Sequence, residues 1–271
     1  MNTSIQHALD KDDVLSASLL VAQQFDADMP LSFYLSMMKQ WETLFRSRIN
    51  FRSSTHQQVL QLNKLFFTEL GFAGQPRNLL ASNYALMDQV MLYRNGCAVC
   101  LCMLYCHLAR AMGLDATGVS FPGHYLVRVR LSDRQYQFMD ALSGKTLSWP
   151  ELEQLYHQIA GDDKEESMPA GFVMPASNRD MLIRQLQNLK GAFINQDQFQ
   201  QALTVSDLLV MLSPDDPYER RGRGWLLQQL NCHGGAYADY RYYIRQCPQD
   251  PAAHLLKLQL RSHSLKSVVL H

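Results

Sequence analysis

Residues 97–140 read CAVCLCMLYCHLARAMGLDATGVSFPGHYLVRVRLSDRQYQFMD, and this stretch decides the fold class. Gly96 ends one helical pattern and the next starts at once, running to Met112-Gly113. The character then changes. Thr117 to Phe121, a Pro122-Gly123 break, His124 to Leu131 with its β-branched and aromatic residues, a polar turn at Ser132 to Arg134, and Tyr136 to Asp140 read as short strands. A helix followed by a hairpin is the signature of an α+β domain.

Upstream of this stretch, to about Tyr93, the pattern is helical. Pro30 is placed to open a helix, Leu31 to Ile49 carries apolar groups at helical spacing, and Gly71 closes a second helical run begun at Ser53. Downstream, residues 161–177 combine Asp162, Asp163, Lys164, Glu165 and Glu166 with Pro169, Gly171 and Pro175, the composition of an exposed connection. This organisation predicts an α+β domain over residues 1–170 and a separate all-α tail over 178–271. Sliding the tail by 34 residues superposes Ala202 on Ala236, Ser213-Pro214 on Cys247-Pro248, and Asp216-Pro217 on Asp250-Pro251. That is the period of a tetratricopeptide repeat, with a closing helix expected from Pro251 to Ser262.

Lys plus Arg and Asp plus Glu both total 25 in 271 residues, a balance that argues against nucleic-acid or anionic-membrane binding. Charged residues make up 18%, below the usual share of about a quarter, so neutral polar and apolar surface is available for a partner. Four of the six cysteines crowd between Cys97 and Cys106, where a disulfide framework is out of place and reduced thiols in the cytoplasm are expected. The run Val14 to Ala22 lacks the basic start and small-residue cleavage site of a signal peptide, and no window reaches the length of a membrane span. The only Gly-x-Gly pair, Gly222 and Gly224, sits inside a helical repeat and not after a strand, so nucleotide binding has no support and no cofactor is expected.

The residues suited to chemistry lie between Gly96 and Asp140. Cys97 and Cys100 stand at a helix start, where unpaired amides and the helix dipole favour a thiolate. If Asp140 pairs with Leu126, His124 and Asp140 fall on one face as diagonal neighbours, and a register shifted by one residue separates them. Thiol, histidine and aspartate in that order are the nucleophile, base and orienting group of cysteine acyl transfer. Cys102 and Cys106, beside Val99 and Ala109, read instead as core fillers. Zinc fails on geometry, because Cys102 and Cys106 lie on a different helix face from Cys97 and Cys100.

Arg94-x-Gly96, the helix ending Ala109-Arg110-Ala111-Met112-Gly113-Leu114, the run from Gly118 through Phe121-Pro122-Gly123-His124 to Arg128, and Phe138-Met139-Asp140 together resemble the transglutaminase-like (papain-like) core of the bacterial YchA family, also known under the SirB name. The resemblance implies a Cys-His-Asp superfamily triad in which His124 and Asp140 supply the last two members. Counting back from Met112-Gly113, the nucleophile position falls at Ala98, which cannot attack a carbonyl, with Cys97 and Cys100 flanking it. Family members pair this core with a tetratricopeptide tail, in agreement with the repeat.

Two functions are therefore expected. The first is a non-catalytic or degenerate transglutaminase-like protein that binds a protein or peptide through its repeats. The second is a cysteine-dependent acyl transferase or peptidase using Cys97 or Cys100 with His124 and Asp140. On the repeats, Arg220, Arg221 and Arg223 lie close together, and a partner offering carboxylates would suit them.

Overall fold

The computed structural model describes residues 2–74, 81–160 and 167–268. The acidic stretch 161–166, part of the expected connection, lies outside the described residues. The chain divides into two compact units, residues 1–188 and 189–271. The division falls within one helix, Asn178–Asn195.

The first unit opens with α1 (Asn2–Asp10), α2 (Val14–Ala22) and α3 (Leu31–Arg48). Asp13 caps α2 by accepting a hydrogen bond from the Ser16 amide, and Ser54 caps α4 (Thr55–Asn63) through the Gln57 amide. Beyond α4 the chain widens into a π-helical turn, Lys64–Glu69, before Gly71 stops it at φ 73°. The sequence pattern carries no sign of that widening. After α5 (Met87–Tyr93) comes α6 (Ala98–Ala111), the central helix, in which every residue from Val99 to Cys106 is buried. A helix apolar on all sides belongs in an interior, and α6 lies in one.

A four-stranded antiparallel sheet follows, β1 (Ala116–Val119), β2 (Leu126–Ser132), β3 (Gln135–Asp140) and β4 (Thr146–Leu147), in the order 1-2-3-4. Leu126 pairs with Asp140. Val119, Phe121, Leu126 and Phe138 from the sheet region pack with Leu152 and Tyr156 of α7 (Trp149–Ala160). Gln137, Phe138 and Met139 are buried in succession, so β3 is covered on both faces, one of them under α7. The first part of α8 (Asn178–Asn195) completes the unit: the buried Gln185 amide donates to the Ala85 carbonyl, and its oxygen accepts from the Ser18 hydroxyl.

The second unit contains the end of α8, α9 (Phe199–Leu212), α10 (Pro217–Gln229), α11 (His233–Gln246) and α12 (Pro251–Val268). Helices α9 and α11 sit 34 residues apart in the chain, as the repeat requires. Pro217 enters α10 at its first turn behind the Asp216 cap, which accepts from the Tyr218 and Glu219 amides. Gly224 lets the α10 backbone approach α11, since a Cβ there would lie 2.8 Å from the Tyr240 ring.

Candidate functional site

The thiols come first. Cys97 occupies the position before α6, with φ −71° and ψ 157°, and its own amide donates to the Tyr84 carbonyl. It is therefore the residue capping the first turn, one step outside the helix. Its sulfur lies 3.5 Å from the Cys100 sulfur, and both residues are buried, 2% and 0% exposed. The side-chain hydrogen bond with Cys100 is the main reason the Cys97 thiol is held down, to about 7. Burial opposes it, while the Cys100 and Val99 amides and the Asn188 side chain reinforce it. Cys100 is pushed the other way, by its bond to Cys97 and by burial. The same helix carries Cys102 and Cys106 with their sulfurs 3.9 Å apart, and burial raises Cys102. Mid-helix amides are already bonded within the helix, so the backbone there offers a thiolate no donors.

His124 stands in the short segment between the Pro122-Gly123 turn and β2, two residues before the strand begins. It does not start the strand, as the sequence pattern predicts. Gly123 has φ 66°, and this left-handed step aims the chain so that His124 and Tyr125 line a cavity of about 280 Å³. Ala98, Val99, Leu142, Arg184 and Asn188 complete its walls. Ala98 thus shares a cavity with His124, and the two flanking thiols lie behind that wall.

Asp140 has the expected register but a different occupation. Its Oδ1 accepts from the Leu142 amide at 3.1 Å and its Oδ2 from the Ser143 hydroxyl at 2.6 Å, so the carboxylate closes the turn into β4. No hydrogen bond or ion pair joins it to His124 among the described residues. Register sets which face a residue occupies, whereas the tight turn after Asp140 supplies the nearer donors.

Sequence reasoning did not find Arg184 and Asn188. Both come from α8, more than 40 residues beyond the end of β3, in a helix whose pattern reads as repeat; no local signal links it to the cavity.

In the second unit, Arg223 makes a two-pronged contact with the buried Asp239, at 2.7 and 2.8 Å, and reaches Asp207 at 3.1 Å. Arg221 donates to the Tyr243 hydroxyl, and Arg220 lies over the Tyr242 ring at 4.3 Å and donates to the Pro214 carbonyl. All three guanidinium groups are engaged inside the unit. Beside them, Ile194, Trp225, Tyr240, Leu255 and Leu256, with Lys190 and Arg221, line a groove of about 420 Å³.

Residues 32–187 match the transglutaminase-like superfamily, and residues 189–261 match the tetratricopeptide repeat. A protein of Vibrio cholerae called UPF0162 protein is 34% identical over 77% of both chains. Protein SirB1 of Salmonella typhimurium is 27% identical over 93% of both, and UPF0162 protein YchA of Escherichia coli is 25% identical over the full length of both. A crystal structure of menin covers 89% of this chain and 68% of its own at 10% identity with a TM-score of 0.41, too distant to bear on fold or site. With the Phe-Pro-Gly-His turn, the α6 start and the 34-residue repeat all in place, the chain belongs to the SirB1/YchA family of UPF0162 proteins, a transglutaminase-like domain joined to tetratricopeptide repeats.

Proposed function

We propose that the chain is a binding module built on a transglutaminase-like scaffold, with a protein or peptide partner held by the repeats and no acyl transfer in the central domain. The observation that carries this reading is the wall of the His124 cavity, where Ala98 stands in the place a nucleophile would need. Asp140 supports it, because its carboxylate serves a turn. Trp225 at 40% exposed and Leu255 at 70% border the repeat groove, and aromatic residues at such grooves are common anchors for a partner. The partner presents an apolar side chain to that groove, whose two cations, Lys190 and Arg221, are already engaged with Glu219 and Tyr243. A cytoplasmic location fits the six free thiols. Among the described residues no helix is long and apolar enough to cross a membrane.

A second reading has one specific support. Ala98 and Val99, which lie between the two cysteines in sequence, line the cavity with His124, so a small shift at the start of α6 would bring a thiol toward the imidazole. That is the cysteine acyl transferase or peptidase.

The test starts from peptides selected by display on the full chain. A selected peptide should raise fluorescence anisotropy with the wild type, lose affinity at least about tenfold in Trp225→Ala, and keep it in His124→Ala, the loss expected for a truncated aromatic anchor. Retention in Trp225→Ala with loss in His124→Ala would move binding to the central cavity. Turnover of activated esters, abolished by Cys97→Ser and by His124→Ala, would establish the enzyme instead.

A further inference from the structure

Cys97, Ala98, Val99 and Cys100 form a Cys-x-x-Cys sequence placed across the start of a helix. One sulfur belongs to the capping residue and the other to the first turn, and the extended backbone at Cys97 folds its side chain back over that turn. The sulfurs already touch at 3.5 Å. Closing them to the roughly 2.0 Å of a disulfide needs side-chain rotation and an adjustment of the extended backbone at Cys97, which lies outside the helix and is not held by its hydrogen bonds.

We propose that Cys97 and Cys100 are a redox site that forms a reversible intrachain disulfide on meeting a hydroperoxide, with Cys97 attacking and Cys100 resolving. The Cys97 thiolate attacks one peroxide oxygen, the O–O bond breaks, and a water leaves after taking a proton, so that Cys97 becomes a sulfenic acid. The Cys100 sulfur then attacks the Cys97 sulfur, the S–S bond forms, the S–O bond breaks, and a second water leaves with the Cys100 proton. Two thiols are oxidised by two electrons and one hydroperoxide is reduced, to two waters when it is hydrogen peroxide. A dithiol reductant reverses the change by exchange.

Three features favour this pair. Cys97 stands one step outside α6 with its sulfur 3.5 Å from that of Cys100, facing a first turn whose amides lack helical partners and favour a thiolate, which makes it the attacking member, and Cys100 inside the turn is the resolving partner. Ala98 and Val99, the two residues between the cysteines, line the His124 cavity, so an oxidant the size of peroxide there lies beside the pair. Burial keeps larger reagents out. Cys102 and Cys106 form a built-in comparison: they are equally buried and nearly as close, but both lie inside the regular helix, and the Cys102 thiol donates to the Leu126 carbonyl. The inference goes beyond the binding reading, since it needs neither a partner on the repeats nor a substrate in the cavity.

The test uses the native full-length chain. The reduced protein is treated with hydrogen peroxide in modest excess, quenched in acid, alkylated in denaturant and read by tandem mass spectrometry across residues 95–110. A mass loss of about 2 Da on Cys97 and Cys100, with both resisting alkylation until a dithiol is added, is the expected result, while Cys102 and Cys106 stay fully alkylated. In Cys100→Ser, a dimedone adduct should accumulate on Cys97. A bridge between Cys102 and Cys106, or direct conversion of Cys97 to the sulfinic acid with Cys100 intact, would overturn the proposal. So would full alkylation of all four thiols after peroxide. The wild-type measurement decides the matter even if a variant fails to fold, and none of these outcomes depends on peptide binding.

Discussion

The two units hold themselves together by different chemistry. In the transglutaminase-like unit the interior is aromatic and sulfur-rich: Phe66 stacks on Phe72 with centroids 4.5 Å apart and meets Tyr105 edge-on at 5.4 Å, and all three are 1% or less exposed. The repeat unit buries carboxylates in ion pairs. Asp239 is 3% exposed and is held by Arg223, while Lys190 pairs with Glu219. A thick unit can enclose most of an apolar helix such as α6, and the polar groups it buries, such as Gln185 and Ser18, are matched by hydrogen bonds to each other and to backbone. Thin layers of paired helices leave each seam near water, where a long cation can reach in and must then be matched. A core of the first kind fails by losing volume and one of the second kind by losing a partner.

The largest effect that this contrast predicts is in the aromatic core. Phe66→Ala should lower unfolding free energy by about 3–5 kcal/mol in denaturant titration, the transfer and cavity cost of a buried ring. A loss under about 1 kcal/mol would show that the core collapses to fill the space. Next comes Arg223→Ala, expected near the lower end of the roughly 3–5 kcal/mol cost of stranding a buried charge, because Arg223 keeps 23% of its side chain in solvent. Replacing both partners, Arg223→Leu with Asp239→Leu, should restore most of that loss. Additive losses in the double variant would remove the ion pair from the account of the repeat unit.

Two glycines test backbone placement in each unit. At Gly123, with φ 66°, Gly123→Ala should cost about 1–2 kcal/mol from the left-handed backbone. In Gly224→Ala, the gain of about 1 kcal/mol in helix propensity opposes a methyl 2.8 Å from the Tyr240 ring, and overpacking of about 1–3 kcal/mol should win. Thermal unfolding of both variants measures the two signs, and a stabilised Gly224→Ala would mean the Tyr240 ring yields.

The smallest effect is spectroscopic. Thiolate absorbance near 240 nm should titrate with a midpoint at about 7 and vanish in Cys97→Ser. Because the folded value lies below that of a free thiol, about 8.5, this group's contribution to stability is present above the free-thiol value and is lost as pH falls through about 7. Titration of the native protein with its first thiolate above pH 8.5 would erase the distinction between the first turn of α6 and its middle.

Local rules made much of this molecule legible. The strand and turn pattern locates β2 and β3 but leaves their register open, because Leu126 and Val127, and Phe138 and Met139, are buried on opposite faces and a slip of one residue exchanges one apolar set for another. The 34-residue spacing of α9 and α11 follows from residues that each repeat must supply to stack on the next. Those signals lie within a few residues or one period along the chain. Three features did not. Asp140 turns to the Leu142 amide and the Ser143 hydroxyl because the turn offers donors at once, and no pattern ranks these above His124. Arg184 and Asn188 enter the cavity wall from a distant helix whose periodicity marks an apolar face without naming what it covers. The contrast between the two cysteine pairs depends on which amides are left without helical partners and on an asparagine brought in by folding. Periodicity and turn chemistry are properties of neighbours in the chain, whereas donor placement around a buried sulfur or carboxylate arises only when distant segments close around it.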